Sequence, residues 1–116
     1  MTIAANVLVG LVAALHVYFL VLEMFLWTTP TGRRVSGLTA EFAEASRSLA
    51  ANQGLYNGFL VAGLVWGMVA GRDDVTIFFL LCVIAAGVFG SLTVSPRILF
   101  AQGAPAVLAL GAVLLS

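Results

Sequence analysis

Charge is nearly missing from this sequence: lysine is absent, five arginines meet five acidic residues, and the formal net charge is zero. Without a basic surplus there is no electrostatic footprint for nucleic acid, which excludes that class of partner. Cysteine is reduced to Cys82, so an internal disulfide is ruled out and the redox compartment stays unread. One Cys and one His in separate apolar stretches do not make a metal-ligand set. No nucleophile triad or phosphate loop is present, and Ser91 and Ser95 have no paired base within sequence reach. Alternating strand patterns are missing too, which speaks against a membrane barrel. No basic residue precedes Arg33, so the first apolar stretch lacks the n-region of a cleaved signal and is expected to be a retained helix.

What remains is apolar. The chain has 116 residues, of which 62% are hydrophobic and 9% charged, and its mean hydropathy is +1.14. A soluble domain carries about 25% charged and about 45–50% apolar residues. Composition therefore predicts an integral membrane protein of one domain over residues 1–116, with the lipid bilayer as its first partner. The expected fold class is all-α, an antiparallel bundle of four transmembrane helices over about 3–27, 39–70, 75–94 and 97–115. Each apolar run is expected to meet the roughly 20 residues that cross about 30 Å of hydrocarbon. A lone span satisfies its own backbone only as a helix.

The connections differ in kind. Gly71-Arg72-Asp73-Asp74 and Ser95-Pro96-Arg97 are short, and Pro96 suits a helix start. The connection from Thr28 to Ala51 is long, and Thr29-Pro30-Thr31-Gly32 is expected to break it. From Thr39, a plausible N-cap, Leu38, Phe42, Ala45 and Leu49 recur at helical spacing, so the second helix is expected to begin outside the bilayer. Arg33, Arg34, Arg47 and Arg97 flank the first and third connections, and Arg72 alone marks the other side. The positive-inside rule puts those two connections in the cytoplasm and both termini outside, in the plasma membrane if the chain is bacterial. Gly54 and Gly58, and Gly63, Gly67 and Gly71, recur every four residues and predict close helix packing.

Chemistry concentrates at the cytoplasmic end. Glu23 is the one acidic residue expected inside the membrane boundary, and His16 lies two turns away on nearly the same face. Asn52, Gln53, Tyr56 and Asn57 open the second span, while Arg97 and Gln102 open the fourth. An amide in hydrocarbon without a partner costs about 4–8 kcal/mol on the cyclohexane reference, so these groups need neighbours, a cavity or head groups. Two readings stand open: a polar pocket between helices, or a hydrogen-bonded collar joining helix ends. Asn52, Gln53 and Arg97 are the candidate donors to Glu23, and Arg97 and Glu23 are the candidates for any catalytic role.

Two resemblances arise at these residues. His16-Val17-Tyr18-Phe19, Glu23-Met24-Phe25-Leu26-Trp27, Asn52-Gln53-Gly54-Leu55-Tyr56-Asn57-Gly58-Phe59 and Gln102-Gly103-Ala104-Pro105 resemble the family catalogued as domain of unknown function 1304. That likeness covers nearly the whole chain and brings no established function. The layout is also similar to the membrane-associated proteins of eicosanoid and glutathione metabolism. There, Leu49-Ala50-Ala51-Asn52-Gln53-Gly54-Leu55-Tyr56 resembles the start of the second helix at Asn52, and Pro96-Arg97 looks like a compressed form of the fourth helix's start. Tyr56 stands where that family has Glu, and only Arg47, a turn early, matches its Arg. The resemblance implies a homo-oligomer, a trimer before a dimer, with glutathione as the possible cofactor.

Three functions compete. The leading one binds a small amphipathic or anionic ligand, glutathione-like or lipid-like, at the cytoplasmic end through Glu23, Asn52, Gln53, Tyr56, Asn57, Arg97, Gln102 and His16. The second resembles the small multidrug resistance exporters, with Glu23 carrying a proton and Tyr56 and Trp66 holding a lipophilic cation. The third is a structural membrane subunit. Glu23 near a helix end and the long first connection both depart from the exporter pattern.

Overall fold

The computed structural model describes residues 1–116, apart from the side chain of Leu99. Every regular element among the described residues is a helix. Helix α1 spans Ile3–Val21 and continues as a π turn over Leu22–Leu26. Two short helices follow, α2 (Pro30–Ser36) and α3 (Ala40–Ala45), and then two long ones, α4 (Arg47–Val69) and α5 (Asp73–Thr93). A second π turn, Leu99–Gly103, leads into α6 (Ala104–Leu114).

Two helical stretches are long and apolar enough to cross a membrane, Ile3–Leu26 with 24 residues and Asp73–Thr93 with 21. The other two expected spans are marked less clearly. Helix α4 has the length, with 23 residues, but its first half carries Arg47, Asn52, Gln53 and Asn57. The last apolar stretch, Phe100–Leu114, is shorter.

The chain forms two compact units, one from residues 1–15 and 60–116, the other from residues 16–59. The first has the larger apolar core: Ala5, Val9 and Val12 of α1, Leu64 of α4, Leu80 and Val83 of α5, and Ala106, Ala109 and Val113 of α6 are all buried there. Small residues let its helices approach closely. A Cβ on Gly67 would strike Thr76, and one on Gly87 would stand 2.9 Å from the Gly103 backbone nitrogen. Between α4 and α5 the chain turns at Gly71, whose φ of 64° suits a residue without a Cβ. Arg72 follows and grips Asp74 through two hydrogen bonds of 2.9 and 2.7 Å.

In the second unit the first connection folds differently from its expected break. Thr29-Pro30-Thr31-Gly32 starts a helix. The Thr29 hydroxyl accepts from the Gly32 N–H at 3.1 Å, and Pro30 fills the first helical position, where its missing N–H has no partner to lose. Gly32 then seats against the Leu26 carbonyl, where any Cβ would clash. Gly37 ends α2 in the left-handed region, at φ 74°, and its N–H returns to the Arg33 carbonyl at 2.8 Å. The N-cap read at Thr39 is present, accepting from the Phe42 N–H at 3.2 Å. Ser46 interrupts the helix that follows. Its hydroxyl donates back to the Phe42 carbonyl at 2.7 Å and accepts from Trp27 Nε1 at 3.0 Å, and α4 starts afresh at Arg47.

Candidate functional site

Gly54, Asn57 and Gly58 lie at i, i+3 and i+4 on α4, so they share one helical face. The segment Leu20–Met24 packs on that face. A Cβ on Gly54 would come within 2.5 Å of Met24 Cγ and 3.2 Å of the Leu20 carbonyl oxygen, and one on Gly58 within 3.1 Å of Leu20 Cδ1. Glycine at both positions lets the two backbones approach until a short side chain can bridge them.

Asn57 makes that bridge. Its Nδ2 donates to Glu23 Oε1 at 2.5 Å, and Asn57 itself is 4% exposed. Glu23 is half-buried in the first turn of the Leu22–Leu26 π segment. Wide turns of this kind interrupt the 3.6-residue register and recur at functional positions. Among the described residues no donor meets Glu23 Oε2, so the carboxylate can take one further donor or a cation.

The other expected site residues separate into groups. Asn52, Gln53 and Tyr56 belong to the same unit but face outward, with the Tyr56 ring edge-on to Phe59 at 5.6 Å. His16 is fully buried and meets the Phe19 ring edge-on at 5.4 Å, which makes it part of the packed interior. Arg97, exposed, and Gln102, half-buried in the second π turn, belong to the unit of residues 1–15 and 60–116. Of the donors named from sequence for Glu23, Asn52 and Gln53 are exposed and Arg97 belongs to the other unit; Asn57, which was not named as a donor, takes the role.

Three features had gone unread. The Trp27–Ser46 hydrogen bond ties the end of the first π turn to the α3–α4 junction. The Arg33 Nε is buried without a hydrogen-bond partner among the described residues. An apolar groove of about 410 Å³ runs between α5 and α6. The sequence signal for Asn57 existed in the Gly54-x-x-Asn57-Gly58 spacing; the groove left none, because it depends on a widened turn.

Compared with known proteins, the chain matches the family described as "Protein of unknown function (DUF1304)" over residues 10–114. It is similar to the "Uncharacterized protein YpaA" of Lactococcus lactis subsp. lactis, 34% identical over 114 residues that span 95% of this chain and 96% of that protein. No solved structure matches the chain.

Proposed function

From the premise that this chain belongs to the DUF1304 family of proteins of unknown function, we propose an integral membrane protein that binds a small amphipathic ligand on Glu23 and Asn57. The lengths of Ile3–Leu26 and Asp73–Thr93 support the membrane reading, since about 20 helical residues cross the hydrocarbon. Burial supports it further. Only 22% and 28% of these stretches are buried, whereas an apolar core helix of a soluble protein would be mostly covered. Exposed Ile3, Val7, Leu11, Phe78, Phe89 and Leu92 suit lipid. With α4 and the stretch through α6 as the other two spans, the Arg count puts both termini outside and the first and third connections in the cytoplasm. A homo-oligomer, a trimer before a dimer, belongs to the same reading.

The observation that carries the ligand is the Asn57–Glu23 hydrogen bond. Ionisable groups inside a membrane are expensive and generally functional. A half-used carboxylate favours a ligand whose polar head is a cation or a donor, while its apolar body rests among exposed Tyr18, Phe25, Tyr56 and Phe59. Glutathione carries a net negative charge, which this carboxylate repels. The proton-coupled exporter draws less support, because Glu23 stands only three residues before the end of the Ile3–Leu26 stretch.

The test is equilibrium binding of tetraphenylphosphonium to the protein in lipid nanodiscs. Glu23→Gln and Asn57→Ala are expected to weaken binding about tenfold, while Asn52→Ala leaves it unchanged. Equal binding by the wild type and Glu23→Gln would overturn the ligand reading.

A further inference from the structure

The α5–α6 groove is lined by Ile84, Val88, Phe100, Ala104, Val107 and Leu108, with Gly103 buried at its floor. Its volume is about 410 Å³ and its walls offer almost no polar atoms. Two close approaches set its direction. Gly87 meets Gly103, and a Cβ on Gly90 would stand 2.9 Å from Ile98 Cγ2. The end of the groove between Val88 and Phe100 is therefore the end where Arg97 stands, one turn before Phe100. Arg97 is exposed and has no acidic partner among the described residues. Its backbone N–H donates to Ser95 Oγ at 3.3 Å, which fixes the turn that carries it. The acidic residues of this unit, Asp73 and Asp74, open α5 at its far end, about 30 Å along a helix of that length.

An apolar trough with a lone cation at one end has the polarity of a single amphiphile. We infer that the groove is a phospholipid site, with one acyl chain lying along α5 and α6 and an anionic head group on Arg97. The inference rests on the membrane reading, which supplies the lipid, and is independent of the Glu23 ligand. Exposed groove walls such as Phe100, at 72%, and Leu108, at 65%, lose dispersion contacts if the groove stays empty, and a flexible acyl chain fills an irregular trough. The guanidinium supplies charge-assisted hydrogen bonds to a phosphate.

Native mass spectrometry tests this on protein extracted with mild detergent from carbonate-washed membranes. The protein is offered palmitoyl-oleoyl phosphatidylglycerol and phosphatidylcholine in equal amounts. The wild type is expected to retain one phosphatidylglycerol at least fivefold over phosphatidylcholine. Arg97→Gln should lose the preference yet keep a lipid, and Ala104→Phe, which fills the trough, should keep neither. Equal retention of both lipids by the wild type, or undiminished phosphatidylglycerol on Ala104→Phe, would overturn the site while leaving the protein in the membrane. Release of the protein by carbonate would overturn the membrane reading and the lipid site together.

Discussion

Asn57 and Glu23 decide most of what happens at the residue scale. Removing the amide with Asn57→Ala leaves a half-buried carboxylate without its donor, and a double-mutant cycle with Glu23→Ala, which removes the acceptor, measures the coupling. Hydrogen bonds between membrane helices average about 0.6 kcal/mol in such cycles and reach about 1.7. A coupling within that range, read from thermal unfolding in detergent, is expected; additive effects would mean that the two side chains do not meet. Sequence alone marked Glu23, because an acidic residue in an apolar run has few bland explanations. It put Asn52 and Gln53 ahead of Asn57 as donors to Glu23, since they lie nearer the helix end. What separates them is burial. Asn57 lies beside Gly54 and Gly58, where Leu20–Met24 packs, and Asn52, Gln53 and Tyr56 are exposed.

Elements were legible where period and punctuation agree. The long helices α1, α4 and α5 follow from apolar runs, and the Thr39 cap follows from hydroxyl position. Helix α2 was not legible, because Pro30 and Gly32 read as breakers when they serve as a first-turn residue and a contact point. The Ser46 interruption was hidden for another reason. The hydroxyl of Ser46 is met there by Trp27, nineteen positions away, a pairing that local sequence does not signal. The π turns are invisible to periodicity, since a single widened turn moves the register by one residue. Close contact at Gly87 gives the prediction at this scale. Gly87→Leu forces a side chain against the Gly103 backbone and should lower stability by about 1–3 kcal/mol, as overpacking does. Gly111→Ala, where a Cβ meets nothing within 4 Å, should leave the unfolding temperature unchanged or slightly raised. Equal effects from the two substitutions, measured by thermal unfolding, would contradict the packing described for α5.

At the scale of the whole molecule, the proposed ligand and lipid sites both require a chain that crosses a bilayer. The composition points there at once, and two helices have the length and the apolar character. Placement of the other two spans rests on α4, whose polar first half weakens its signal, and on the short stretch that ends in α6. Cysteine labelling from one side of the membrane tests this most directly. In a Cys82→Ala background, Thr31→Cys samples the first connection and Ser116→Cys the C-terminus. A membrane-impermeant maleimide should label Ser116→Cys in intact cells and Thr31→Cys only after the membrane is opened. Labelling of both positions in intact cells, or recovery of the protein in the soluble fraction, would contradict the four-span account.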